Sequence, residues 1–321
     1  MNDMVERIKQ EISKVFIGQK ELVEHTLITL LAGGHLLVEG VPGLGKTLLV
    51  RALAKAIGGD CKRVQFTPDL MPSDITGNIM LDVQAGKFIT RKGPVFTNIL
   101  IADEINRSPA KTQAALFEAM QEFQVSLDGT EYPLPRPFMV LATQNPFEHE
   151  GTYPLPDAQK DRFLMKLLID YPEPEDEKEM VQRVLSDNTG AELSLEGVAQ
   201  ALSTDELTAL RDTASRIRVA PELIDYAVRL VSATRHNGNA AASSYAIETG
   251  AGPRGSLALI RCARSRALLE GRDFVIPDDI KALAVPVLIH RISLSAESEL
   301  EGLNEAQAVQ VLVSKVEAPR T

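Results

Sequence analysis

The run Gly40-Val41-Pro42-Gly43-Leu44-Gly45-Lys46-Thr47 fits the pattern G-x-x-x-x-G-K-[ST], and each fixed position answers a need of phosphate binding. Glycine lets the backbone wrap closely round an anion and aim its N–H groups at it, at the positive end of the helix that follows. Lys46 can reach the β and γ phosphates of a nucleotide, the Thr47 hydroxyl can ligate Mg2+, and Leu48 leads into the helix behind them. A second segment, NILIADE, is an apolar strand-like run that ends in two adjacent carboxylates, Asp103 and Glu104. Asp103 is expected to hold the Mg2+ water shell. Glu104, pointing elsewhere because neighbours on a strand alternate, is expected to orient or deprotonate an attacking water. A third segment, FMVLAT, leads to Gln144 and Asn145. Parallel sheets place ligands at such carboxyl ends, so Asn145 can contact the γ-phosphate or the lytic water. Alone, Asn145-Pro146 reads as a turn opener and Asp-Glu as a solvated strand end. The three segments together imply chemistry on MgATP.

These residues need a scaffold of strands that present their ends side by side. HLLVE precedes the glycine-rich turn, and TLLVRALAKAI follows it as a helix that stops at Gly58-Gly59. Further strand-length runs, CKRVQF, NILIAD, FMVLAT and FLMKLLI, alternate with helical segments such as PAKTQAALFEAMQEF. Alternation of this kind predicts an α/β fold, a mainly parallel sheet covered by helices on both faces. Two helices precede the first strand, on the spacing of Val5, Ile8, Ile12 and Val15 and of Leu22, Val23, Leu27, Leu30 and Leu31. After Tyr171 the strands are expected to stop. PEPEDEKE opens a region read as helical almost throughout, with helices at ELIDYAVRLVSATR, PRGSLALIRCARSRALLE, PDDIKALAVPVLIHRI and EAQAVQVLVSKV. The expected division is therefore a nucleotide-binding domain over 1–172 and an all-helical lid over 173–321. The acidic run from Glu173 to Glu179 reads as a solvated helix start. Two hairpins interrupt the first domain, one turning at Asp128-Gly129 and a weaker one at Ala85-Gly86. Either can be a surface decoration or handle a partner.

Composition narrows the class. With 321 residues, 44% hydrophobic and 24% charged, the chain reads as a globular protein of about two domains. A net charge of −10 and a pI near 5.2 repel a nucleic-acid backbone, which disfavours a general nucleic-acid binder. Cys61 and Cys262 lack further thiols or histidines at metal-ligand spacing, and read as buried thiols in a reducing compartment. The N-terminus lacks an apolar signal segment, and the richest apolar stretch is broken at Gly33-Gly34-His35, short of a membrane span. A cytoplasmic location is expected.

The set GVPGLGKT, LIADEINRSPAKTQAALFEAMQE, ATQNPFEHEGTYPLPDAQKDRF and GPRGSLALIRCAR closely resembles the MoxR family of AAA+ ATPases. The likeness runs from FIGQKELVEH to beyond PDDIKALAVPVLIHRI. It implies that Gly40 to Thr47 form the Walker A loop, that Asp103 and Glu104 form the Walker B pair, and that Asn145 is sensor 1. It also implies contact with the base around Ile17 and Gly18. Arg162 matches the arginine finger inserted into a neighbouring subunit's site, and Arg254 matches sensor 2, which touches the γ-phosphate from the lid. Read without the resemblance, Arg162 is a surface arginine paired with Asp157 or Asp161. Arg254, Arg261, Arg264 and Arg266 could likewise form a basic helix for nucleic acid, although their spacings do not share one stripe. Arg107 is a further candidate for sensing the neighbouring subunit. Gly252 and Gly255 flank Arg254 where the family often has serine and alanine, which predicts a looser helix start. The resemblance implies a homo-oligomer, a hexamer, that remodels or activates a partner protein, often one with a von Willebrand factor A domain, and it places the hairpins facing the ring axis. The alternatives are a nucleic-acid motor related to ring helicases, and an ATP-binding switch with negligible turnover.

Overall fold

The computed structural model describes residues 2–40, 45–82, 86–145, 151–186, 195–235 and 247–319. Along the first half run α1 (Asn2–Ser13), α2 (Lys20–Leu31), β1 (Leu36–Gly40), α3 (Lys46–Ala56), β2 (Cys61–Gln65), α4 (Pro72–Thr76), β3 (Gly77–Asp82) and β4 (Lys87–Lys92). These are followed by β5 (Ile99–Asp103), a 3-10 turn (Ile105–Arg107), α5 (Ala110–Glu122), β6 (Gln124–Leu127), β7 (Thr130–Pro133), β8 (Met139–Gln144), α6 (Asp157–Lys160) and β9 (Met165–Ile169). The second half comprises α7 (Pro174–Ser186), α8 (Thr204–Ser215), α9 (Pro221–Ala233), β10 (Ile247–Thr249), α10 (Pro253–Leu269), α11 (Pro277–Leu288), β11 (Ser293–Leu294), α12 (Ala296–Leu300) and α13 (Glu305–Lys315).

Five strands form one sheet in the order β2-β5-β8-β1-β9, with every neighbouring pair parallel. Because side chains alternate along a strand, each central strand feeds two cores. Leu36 and Val38 of β1, Ile99 and Ile101 of β5, and Met139 and Leu141 of β8 face one side. Leu37, Leu100, Ala102, Val140 and Ala142 face the other, against Leu116, Phe117 and Met120 of α5. The first core continues without interruption into the helical second half, through Leu259 and Cys262 of α10 and Leu283 and Val287 of α11. The expected α/β sheet followed by a helical region is therefore what the chain forms.

His35 stitches the amino ends of these elements. Its Nδ1 accepts from the Val140 amide at 3.0 Å and its Nε2 lies 3.0 Å from the Met120 carbonyl, which requires the neutral ring protonated at Nε2. Full burial is the main cause that pushes its pKa down to about 4.

Two expectations for the second half need correction. Strands do not stop at Tyr171 outside the sheet: β10 and β11 pair antiparallel, with Ile247 opposite Leu294. A pair this short has no alternating pattern to read. The helix expected through Ile292 ends at Leu288, where Pro286 in its last turn leaves one helical N–H missing. His290 and Arg291 consequently turn inward toward the segment before β9. Of the two glycines flanking Arg254, Gly255 is packed, with a Cβ there 3.3 Å from Leu288 and 3.5 Å from Val231, while Gly252 faces open space. Both hairpins form, β3 with β4 and β6 with β7, and Asp128 and Gly129 take the left-handed conformation that the second turn needs. Of the weaker turn, Gly86 is left-handed while Ala85 lies outside the described residues. The acidic run opens α7, with Glu175, Asp176 and Glu177 in its first turn.

Candidate nucleotide site

The carboxyl ends of β5, β8 and β1 stand next to one another, and each delivers one of the segments singled out by sequence. From β1 the chain enters the glycine-rich run at Gly40, where a Cβ would strike the Ile169 carbonyl oxygen of β9. It resumes at Gly45, a left-handed residue that starts α3 and whose missing Cβ would stand 3.3 Å from Phe16. Val41, Pro42, Gly43 and Leu44 lie outside the described residues. Lys46, Thr47 and Leu48 form the first turn of α3. The Lys46 ammonium donates to the Gly40 carbonyl at 3.0 Å. Burial lowers its pKa, and Asp103 and Glu39 work against that shift. Glu39 itself pairs with Lys166 at 2.6 Å. A half-buried ammonium held by one neutral carbonyl is suited to a phosphate.

Asp103 is the last residue of β5 and is buried. The register that sets Ala102 opposite Ala142 brings Thr143 beside it, and the Thr143 hydroxyl donates to its Oδ1 at 3.1 Å. Arg63, on β2, donates to its Oδ2 at 2.5 Å. Glu104 differs from the sequence-based account of its direction. It has left the strand, with φ 55° and ψ 49°, and its amide donates to the Thr143 hydroxyl at 2.9 Å. That left-handed step, rather than strand alternation, turns its carboxylate away, to where Gln65 donates at 2.7 Å and Arg107 at 3.2 Å. Arg107 thus engages Glu104 of its own chain. Asn145 directly follows β8 and is partly buried, one step beyond Gln144, which pairs with Glu39 of β1. Ile17 is buried, and at Gly18, left-handed at φ +70°, a Cβ would collide with Asp176 at the start of α7. A cavity of about 480 Å³ opens beside Gln19, Leu22 and Tyr171.

Among the described residues no group of three or more His, Cys, Asp or Glu side chains could cage a metal. Thr47 and Asp103 carry hard oxygen donors that would suit a cation completing its shell with water and phosphate, the usual habit of Mg2+. The donor set therefore fits a metal carried in with a nucleotide.

Arg162 lies in the segment between α6 and β9, and Arg254 in the first turn of α10. Asp157 pairs with Lys160 at 3.0 Å. Asp161 takes Arg254 at 3.3 Å and Arg291 at 2.9 Å. Neither carboxylate meets Arg162, whose Nε is buried without a hydrogen-bond partner and whose guanidinium stands 5.7 Å from the Phe117 ring. The surface ion pair weighed from sequence is absent among the described residues. Arg291, with a side chain only 3% exposed, also donates to the Phe163 carbonyl at 2.7 Å and the Leu164 carbonyl at 3.3 Å. It fastens the helical half to the segment that carries Asp161 and Arg162. Sequence reasoning missed Arg291, Arg63 and Thr143, and offered Asp161 to Arg162 rather than to Arg254 and Arg291. Only Thr143 carried a signal, as a hydroxyl two residues before Asn145 on a buried strand. The four arginines of α10 do not share a face: Arg254 meets Asp161, Arg266 meets Asp279 at 3.0 Å, and Arg261 and Arg264 line a separate cavity.

A P-loop sheet with a second acidic strand beside it, capped by helices that reach back with arginine, is the arrangement of an AAA-type ATPase. Residues 35–165 match the family model described as "ATPase family associated with various cellular activities (AAA)", and residues 239–311 match the AAA lid domain. The chain is 44% identical over 318 residues to Chaperone MoxR1 of Mycobacterium tuberculosis, covering 98% of this chain and 82% of the relative. It is 33% identical over 327 residues to Protein MoxR of Methylorubrum extorquens, covering 98% and 94%. A crystal structure of a Cytophaga hutchinsonii protein, described as an ATPase, superposes with a TM-score of 0.92 at 43% identity, covering 99% of this chain and 96% of that one. The chain belongs to the MoxR family of AAA+ ATPases.

Proposed function

We propose that this chain hydrolyses MgATP at sites shared between the subunits of a ring, a hexamer, and spends the resulting motion on remodelling or activating a partner protein. The observation that carries the reading is the isolation of Arg162: among the described residues no carboxylate pairs with it, while the neighbouring Asp157 and Asp161 engage Lys160, Arg254 and Arg291 instead. An arginine so placed is free to serve a neighbouring subunit's phosphates, where it stabilises the charge of the transferring group.

Within one subunit, Gly40 to Thr47 cradle the phosphates and Lys46 exchanges the Gly40 carbonyl for phosphate oxygens. Thr47 and Asp103 hold Mg2+, which when bound neutralises phosphate charge. Glu104 accepts the proton of the attacking water, or orients it, after its carboxylate gives up Gln65 and Arg107. Asn145 positions the γ-phosphate or that water, and Ile17 and Gly18 border the base. Arg254 passes from Asp161 to the γ-phosphate, coupling nucleotide state to the lid. We divide the chain into 1–172 and 173–321 on this basis. The β3–β4 hairpin carries exposed Met80, Leu81, Phe88 and Ile89, with Phe88 76% exposed, an apolar surface of the sort a protein partner covers. The partner type implied by the resemblance is a protein with a von Willebrand factor A domain. A cytoplasmic location accords with the unpaired thiols, whose pKa values burial raises to about 11 at Cys61 and about 12 at Cys262. Among the described residues no helix is long and apolar enough to cross a membrane.

The test is ATPase rate against protein concentration, with mass followed by light scattering with and without MgATP. Specific activity is expected to climb as the ring assembles, and full activity in a monomer would remove the shared site. Adding DNA separates the motor reading: indifference supports the protein remodeller, whereas strong salt-dependent stimulation supports the motor.

A further inference from the structure

A cavity of about 400 Å³ lies at the amino edge of the sheet, between the end of α2, the entry to β8, and helices α8 and α10. It is at the opposite edge of the strands from Lys46 and Asp103. Arg136, Arg211, Arg261 and Arg264 line it, against a single carboxylate, Asp212. Among the described residues Arg136, Arg211 and Arg264 form no ion pair, and the Nε of Arg264 is buried without any hydrogen-bond partner. Arg261 donates to the Gly33 carbonyl at 3.1 Å, a neutral acceptor. The Arg211 guanidinium lies against Gly33, a left-handed residue at φ +69° where a Cβ would collide with it. Burial first, and then the charges of Arg261 and Arg136, lower the pKa of Arg211, and Asp212 offsets this only in part.

Converging guanidinium groups without counter-charge repel one another, and burial strengthens the repulsion. Yet this chain has a net charge of −10, so acidic residues are plentiful, and among the described residues Asp212 alone of them lines the cavity. The planar fork of arginine matches phosphate oxygens in a bidentate way that lysine cannot. The wall opposite the arginines is apolar, with Leu31 and Phe123, and the volume falls in the range of small-molecule sites. We propose that this cavity binds a polyphosphorylated small molecule, with Arg211 and Arg264 as its main phosphate ligands. Since Leu31, Phe123 and Arg136 come from the sheet side and the other arginines from α8 and α10, the bound anion ties the helical half to the sheet at the edge remote from the phosphate loop. It is thereby placed to regulate lid motion. Arg211 and Arg264 are partly buried while Arg136 and Arg261 are exposed at the mouth, and this recess together with the acidity of the whole chain favours a small anion over a nucleic acid.

The test is calorimetric titration of inorganic tripolyphosphate into the full chain already saturated with Mg2+ and a non-hydrolysable ATP analogue. One further equivalent per chain is expected. Arg211→Gln and Arg264→Gln should each weaken it about tenfold or more, and Asp212→Asn should tighten it. Because removing one repelling charge relieves the ligand-free protein, Arg211→Gln should melt no lower than the parent, which guards against misfolding as an explanation. Repeating the titration with ADP separates the sources. Tighter binding lost in Phe123→Ala assigns an organic phosphate, and binding equal to tripolyphosphate assigns the phosphate chain itself. The proposal is overturned by an absence of heat beyond the phosphate loop, or by binding indifferent to both arginine variants. It is also overturned if a DNA oligomer displaces tripolyphosphate with the same arginine dependence. Finally, if Arg211→Gln alters ring mass while the parent binds no anion, the pocket instead seats a neighbouring subunit.

Discussion

At the scale of single residues, the site turns on which charges are already engaged. Glu104 is turned off its strand by a left-handed backbone step and held by Gln65 and Arg107, so it stands ready but not free. Glu104→Gln keeps the shape and the hydrogen bonds but removes the base. ATP turnover should fall by roughly a hundredfold to ten-thousandfold in steady-state assays while nucleotide affinity in equilibrium binding is kept. Turnover equal to the parent's would remove Glu104 from the reaction. Arg162, which pairs with no carboxylate among the described residues, should behave differently. Arg162→Ala is expected to lose about a thousandfold in turnover. Mixing it with Glu104→Gln subunits should restore part of the rate, because the second subunit's intact arginine serves the first one's intact base. No recovery at any mixing ratio would argue against action across the interface. The residue types Lys46, Thr47, Asp103 and Glu104 were legible in sequence because their spacing is local. Arg63 on Asp103 and Arg291 on Asp161 were not, since each contact joins distant segments.

At the scale of elements, the helical half depends on a buried charge cluster. Asp279, in the first turn of α11, has a fully buried side chain that meets Arg272 at 2.6 Å and Arg266 of α10 at 3.0 Å, and accepts from the Ile276 amide at 2.9 Å. Removing one member of such a set strands the others in a poorly solvated place. Asp279→Ala should lose roughly 3–5 kcal/mol in chemical unfolding, far more than the loss of an exposed pair such as Arg218 with Asp273. A change within about 0.5 kcal/mol would mean the pair is solvated in practice. Helices α1, α2, α9, α10 and α13 could be read from apolar spacing, and their buried residues lie where the pattern places them. The short β10–β11 ladder could not, because pairing between distant segments settles it, whereas the early end of α11 had a local signal in Pro286 that the expected helix ran through.

At the scale of the whole molecule, the sheet and the helical half share one continuous core, so changes at its seams are felt globally. Buried histidines sit at two of those seams: His35 at the amino edge, and His290 beside Arg291 and the Phe163 carbonyl. Burial holds His35 at about 4, and burial together with the neighbouring Arg291 charge holds His290 well below its ordinary value. In the unfolded chain both take up protons near their ordinary value, so the stability they confer is complete above about pH 6.5. It is lost as pH falls toward the folded values, with His35 alone accounting for roughly 3 kcal/mol by pH 4. Urea unfolding across that window should show the loss, and His35→Gln, though weaker at neutral pH, should show a shallower slope; an unchanged slope would separate His35 from the acid response. What the sequence by itself determined was the class and the residues expected to carry its chemistry. A phosphate-loop pattern, strand-length runs ending in Asp103-Glu104 and Asn145, and helical spacing are short-range properties written in consecutive residues. What only the tertiary structure decided was who holds whom: Thr143 on Asp103, Asp161 between Arg254 and Arg291, Arg162 without a carboxylate among the described residues, and four arginines lining one cavity. Those relations depend on strand order, register and helix packing, which bring together residues far apart along the chain and which no local pattern encodes.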